Sequence, residues 1–105
     1  YETQEVTQSG LSVYNPYGVY SEPKIQIIGS GDKRIRVGNT TFELENIVSG
    51  MILDTEIQEA YSGETLLNGS MSGAFPVLAS GFNEVTWQGT GTISKIIFDP
   101  RWRTL

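Results

Sequence analysis

The stretch Arg34-Ile35-Arg36-Val37-Gly38-Asn39-Thr40-Thr41-Phe42-Glu43-Leu44 constrains the fold more than any other. Its first four residues alternate basic and β-branched apolar side chains, the period of a strand with one face buried. Gly38-Asn39 is a two-residue hairpin loop. With that loop, Val37 falls opposite Thr40, Ile35 opposite Phe42 and Arg34 opposite Glu43. The apolar pair then lies on one face and the ion pair on the other, and a slip of one residue would reverse both. The Arg34–Glu43 contact is solvated and worth well under ~1 kcal/mol, so the apolar face sets the register.

The rest of the chain has the same character. Twelve glycines, many β-branched residues and no long helical period predict an all-β class. A length of 105 residues predicts one domain, large enough for a core without staples. The chain has no Cys and no His. That rules out disulfides, thiolate metal sites and Ser-His-Asp or Cys-His catalysis, and it removes the commonest zinc ligand and general base. No cofactor is implied. The net charge of -5 argues against nucleic acid and against an anionic membrane surface, both of which need a basic footprint. No run approaches the about 18 apolar residues of a membrane-spanning helix. With neither a signal peptide nor an initiator Met at Tyr1, the sequence reads as a domain excised from a longer protein or a processed product.

In chain order, residues 1–22 form a lead-in and residues 23–105 the main domain. Tyr1 to Ser9 is a linker or a short edge strand. Leu11 and Val13 share a face, and Asn15-Pro16-Tyr17-Gly18 is a turn. Lys24 to Ile28 is a strand with Ile25 and Ile27 on one side. Gly29-Ser30-Gly31-Asp32 is not a phosphate loop, because no Gly-Lys-Ser/Thr leads into a helix; it reads as a hairpin turn. Glu45 to Gly50 connects to a strand at Met51–Ile57. Leu66 and Leu67 lie in a loop and are expected to pack back onto the core. Phe75–Leu78 reads as a short strand or edge. Phe82–Trp87 is a strand with Val85 and Trp87 inward and Glu84 and Thr86 outward. Gln88-Gly89-Thr90-Gly91 is a turn, Thr92–Phe98 a buried strand, and the two strands are expected to form a hairpin. About eight short strands at spacings of about 8–12 residues are the pattern of a sandwich or jelly roll.

Candidate chemistry is sparse. Asp54 and Glu56 would share a strand face, with Glu59 and Glu64 nearby. A glycosidase needs two carboxylates about 5–10 Å apart across a cleft, one with a raised pKa, and this spacing permits that without suggesting it. Asp32, Asp54 and Glu56 offer hard oxygen ligands for calcium, but no D-x-[DN]-x-[DN]-G loop is present, so no metal site is assigned. Tyr14, Tyr17 and Tyr20 cluster early and are the candidate surface contacts for a glycan, since an amphipathic ring offers an apolar body and a polar tip. Core and hairpin packing is the competing reading for them. Arg101-Trp102-Arg103 reads as a terminal strand pinned by Trp102 rather than a cation stacked on a ring.

An ordered set of motifs adds a resemblance. It includes Gly29-Ser30-Gly31, Gly38-Asn39, Leu44-x-Asn46-Ile47, Ile52-x-Asp54-x-Glu56, Tyr61-x-Gly63 and Met71-Ser72-Gly73-x-Phe75-Pro76-x-Leu78. It continues through Gly81-x-Asn83, Trp87-x-Gly89 and Pro100-Arg101-Trp102-Arg103-x-Leu105. From about Pro23 onward the chain resembles the C-terminal domain of siphophage distal tail proteins, encoded by a phage or prophage. Residues before that match nothing in the family. The resemblance implies an antiparallel galectin-like or jelly-roll β-sandwich. It also implies a non-enzymatic structural part of the virion tail tip, hanging outward from a hub ring that links the tail tube to the adsorption apparatus. The implied partners are other tail-tip proteins, a receptor-binding protein or host cell-wall glycan. The full-length protein would be a ring oligomer and this piece a monomer. No long inserted arm of the kind some relatives use to grip receptor-binding proteins is present. A carbohydrate-binding accessory module that touches host cell-wall glycan is the alternative.

Overall fold

The computed structural model describes residues 3–48, 50–62 and 65–102. Among these residues are eleven strands: β1 (Gln4–Val6), β2 (Ser12–Asn15), β3 (Lys24–Gly29), β4 (Gly31–Val37), β5 (Thr40–Ile47), β6 (Met51–Asp54), β7 (Glu59–Ser62), β8 (Thr65–Leu66), β9 (Met71–Gly73), β10 (Gly81–Gly89) and β11 (Ile93–Asp99). Among the described residues one 3-10 turn, Asn68–Ser70, precedes β9. The strands form two antiparallel sheets. One runs β1-β11-β3-β6-β7-β8 and the other β2-β10-β4-β5-β9.

Alternation builds the core. Ile25, Ile27, Leu53, Ile96 and Phe98 face inward from the six-stranded sheet; Val13, Ile35, Val37, Phe42, Leu44 and Val85 meet them from the other. The β4–β5 hairpin has the register that the sequence demands, with Val37 opposite Thr40, Ile35 opposite Phe42 and Arg34 opposite Glu43. Beyond Leu44, β5 continues through Ile47 with a bulge. There Asn46 adopts a φ of 58°, and its backbone N–H donates to Asp32 Oδ1 at 2.9 Å. One extra residue in a strand requires this kind of local twist.

Two expected hairpins are instead passages between the sheets. β3 and β4 are joined through Ser30, and β10 and β11 through residues 90–92, yet each pair divides between the two layers. β3 pairs with β11 and β4 with β10. The ladder does not break between them. Gly29 opposes Ile93 and Lys33 opposes Gly89, four residues on along each strand, so the register is shared. At the bend the Ser30 N–H donates to the Thr92 carbonyl at 2.8 Å and the Thr90 N–H to the Asp32 carbonyl at 2.9 Å. The molecule is thus organised on one long two-stranded ribbon folded over at a corner.

Glycine makes that corner possible. A Cβ on Gly29 would overlap the Thr92 carbonyl oxygen, one on Gly31 that of Thr90, one on Gly89 that of Asp32 and one on Gly91 that of Ser30. Gly31, Gly89 and Gly91 also have φ values of 97°, 139° and 72°, in the region that side chains disfavour. Lys33, only 5% exposed as a residue, closes the bend by donating from its ammonium to the Thr90 carbonyl.

Other departures are local. The strand expected over Met51–Ile57 ends at Asp54, because Thr55–Gln58 turns the chain back into β7. The Thr55 hydroxyl donates to the Pro76 carbonyl at 2.7 Å, and Gln58 donates to the Thr55 carbonyl and adopts a φ of 55°. Phe75–Leu78 is no strand; Leu78 alone forms a bridge, to Ser21, and is fully buried. Leu67 packs on the core, whereas Leu66 points away and is exposed. β1 and β2 place the start of the described chain on the border of each sheet.

Replacing Gly89 by Ala should destabilise the domain by more than about 2 kcal/mol, since strain and overlap add at one residue. Gly18, with open space around it and no positive φ, should tolerate Ala almost unchanged. Urea midpoints of the two variants decide the matter; equal midpoints would mean that the corner yields.

Candidate functional site

Strand polarity sends several of the candidate side chains to the pole opposite the glycine corner. β3 starts there at Lys24, β11 ends there at Asp99, β6 ends there at Asp54, and β10 begins there beside the end of β2. The three candidate tyrosines belong to this pole. Tyr14 is one of the two outward residues of β2, opposite Phe82. Their rings lie 4.7 Å apart at 48°. Tyr17 sits in the expected turn, where its N–H donates to Asn15 Oδ1 at 2.9 Å. Asn15 is buried and donates in turn to the Val19 and Leu78 carbonyls, which fixes the loop. The Tyr17 ring is 6.1 Å from that of Trp102, tilted by 54°. Tyr20 is half-exposed and stands between the turn and the Ser21–Leu78 bridge. The three tyrosines therefore reach the surface, but two of them do so as halves of tilted pairs, with partners far along the chain.

Asp54 and Glu56 meet at the same pole through a residue that the sequence did not link to them. Arg101 forks onto Asp54, with Nη1 to Oδ1 at 2.8 Å and Nη2 to Oδ2 at 2.9 Å, and Nη1 lies 3.5 Å from Glu56. The Glu56 N–H adds a bond to Asp54 Oδ1 at 3.1 Å. Arg101 adopts a φ of 50°, uncommon for a residue with a side chain. Trp102 packs partly onto the core, but residues 101–102 form no strand. The terminal segment is thus latched by a bidentate ion pair and an aromatic contact. Arg103 and Glu64 lie outside the described residues.

The latch determines what Asp54 can do. The Arg101 guanidinium holds the Asp54 carboxyl below its ordinary value of 3.8, against the opposing effect of burial. A glycosidase acid needs the reverse shift. Asp32 is not a neighbour: it lies past the corner end of β3, while Asp54 lies beside the other end. Among the described residues no three acidic side chains gather as a metal site would require.

No protein-family model matches the chain, and no curated protein matches it significantly. One solved structure does. The chain is similar in fold to SPP1 Dit (gp 19.1), described as a paradigm of the hub adsorption apparatus in phages that infect Gram-positive bacteria. The TM-score is 0.71 at 11% sequence identity, and the match covers 92% of this chain and 45% of that one. This chain therefore spans less than half the length of that protein. The likeness shows the fold, the antiparallel galectin-like β-sandwich expected from the sequence.

Neither the exposed Phe82 ring nor the Asp54–Arg101 pairing is among the expectations drawn from the sequence. Phe82 was within reach, because the parity that turns Glu84 and Thr86 outward turns Phe82 outward as well. The ion pair spans 47 residues, and no local pattern announces it.

Because the folded pKa of Asp54 is depressed, its pairing stabilises the domain fully above the ordinary carboxylate value and is lost as the pH falls through the lower folded one. Asp54→Asn should cost about 1.5–3 kcal/mol at neutral pH and flatten the acid limb of the stability profile. Chemical denaturation from pH 2 to 7 reads both effects; a variant as stable as the parent throughout would show that the latch holds nothing.

Proposed function

We propose that this chain is a non-catalytic structural and docking domain of a siphophage distal tail protein. It would be carried peripherally, as the C-terminal domain, on the tail-tip hub that links the tail tube to the adsorption apparatus. The observation that carries the reading is the fold likeness to SPP1 Dit over 92% of the chain. It coincides with the ordered motifs from Pro23 to Leu105, which point to the same family from the sequence alone. The Arg101 latch supports the non-catalytic part, since it keeps Asp54 ionised and engaged. Partners in this reading are other tail-tip proteins. Ring assembly would belong to the remainder of a longer protein, and the isolated domain would be monomeric.

Gold-labelled antibody against the chain should decorate the far end of the tail in particles of the phage that encodes it. Label on the head, or infectious particles that carry none of the protein, would refute the proposal.

A second reading, a carbohydrate-binding module contacting host cell-wall glycan, is favoured by one observation. Tyr14, Tyr17 and Tyr20 are 48%, 36% and 52% exposed, and exposed aromatic rings at one pole are the usual start of a sugar platform. Calorimetry with purified cell-wall polysaccharide tests it. Saturable heat that vanishes when the three tyrosines become Ala supports this reading, and no heat at millimolar glycan removes it.

A further inference from the structure

The outer face of the five-stranded sheet is polar; its two arginines each meet a carboxylate, and Asp32 and Glu45 add acidic charge toward the glycine corner. On β10, Phe82, Glu84, Thr86 and Gln88 turn outward between inward residues. Tyr14 stands beside Phe82, Arg36 beside Thr86 and Arg34 beside Gln88. Arg36 lies 3.6 Å from Glu84 and Arg34 lies 2.7 Å from Glu43. A groove of about 220 Å³ opens beside them, with Arg34, Arg36, Thr41, Thr86, Trp87 and Gln88 in its walls. At the polar end of the same face Phe82 is 78% exposed, the most exposed aromatic ring among the described residues.

We infer that this groove, together with the Tyr14–Phe82 step four residues before Thr86 on the same strand, is a binding site for a neutral glycan chain. Charge selects the ligand class. Both arginines are matched by carboxylates on the same face, within a chain of net charge -5. An anionic polymer would have to break those pairs, and a cationic one finds no carboxylate in the groove walls, since Asp32 and Glu45 lie beyond them toward the corner. A neutral polyol needs neither. Each guanidinium–carboxylate pair sets planar donors beside acceptors, the complement of neighbouring hydroxyls that both give and take a hydrogen bond. Thr41, Thr86 and Gln88 add further donors and acceptors of the same kind. Phe82 supplies an open ring face for the apolar side of a sugar. From Phe82 to Gln88 the strand extends roughly 20 Å at about 3.3 Å per residue, which suits several sugar units rather than one.

This site rests on the second reading above and moves its centre from the tyrosines of the loop to the sheet face. Titration of the domain with chitotetraose and maltotetraose as neutral probes, and with a glycerol-phosphate polymer as the anionic one, tests it. At least one neutral probe should bind saturably, with an affinity unchanged between about 20 and 500 mM salt. Phe82→Ala should weaken that binding roughly three- to tenfold, and Arg36→Ala should weaken it too. Both side chains are exposed, so an unchanged melting temperature confirms that either variant folds. Loss of binding in Tyr17→Ala or Tyr20→Ala, with Phe82→Ala intact, would keep the glycan reading and overturn this site. Preference for the anionic polymer with a steep salt dependence overturns the inference. So does the absence of binding to both neutral probes at about 10 mM, far above the range of a useful site; the second reading itself falls only if cell-wall polysaccharide also gives no heat.

Discussion

Close backbone-to-backbone contact at the corner is the constraint on which the rest of the structure depends. Two strands bend together from one sheet to the other while keeping their ladder, and they can do so only because Gly29, Gly31, Gly89 and Gly91 bring no side chain into the bend. Everything else is added to that folded ribbon. β5 and β9 extend one layer, β6, β7 and β8 extend the other, and β2 and β1 close the opposite sides. The core forms where the two halves of the ribbon face each other, with Ile27 and Ile96 from one layer against Ile35 and Val85 from the other. The corner gives the sandwich its geometry and apolar burial supplies most of its stability.

The opposite pole has a different logic. There the chain closes with polar and aromatic contacts instead of tight backbone packing. Asn15 ties the early loop to Leu78, Arg101 ties the terminal segment to Asp54, and Tyr17 meets Trp102. These contacts join segments from the beginning, middle and end of the described chain. The pole is therefore both a seam and the place where aromatic surface reaches solvent. One end of the molecule is committed to holding the fold, and the other has side chains to spare for contact.

What could be read from the sequence followed the range of the interaction. The β4–β5 hairpin was legible down to its partners, because a two-residue loop and strict alternation leave one register. The strands at Lys24–Ile28 and Phe82–Trp87 were legible from alternation alone, which marks a strand but not its partner. The two passages between sheets were not. Gly29-Ser30-Gly31 and Gly89-Thr90-Gly91 have the composition of hairpin turns, and nothing local says that each segment's neighbour is the other. The end of β6 was missed because Thr55 is β-branched and suits a strand, yet its hydroxyl is taken by the Pro76 carbonyl. At the candidate site the exposure of the tyrosines was legible from their polar turn. Their ring partners and the Arg101 latch were not, since those depend on pairs 47 or more residues apart.

The borders of the two sheets have a consequence for crowding. Among the described residues the outermost strands are β1, β8, β2 and β9, of 3, 2, 4 and 3 residues. A strand border is a template on which another molecule can pair, and its danger grows with its length and flatness. Borders this short offer only a few free amides before the chain turns away. Many copies of such a domain can be held close together without their sheets fusing into one another, and contacts between neighbours are left to side chains.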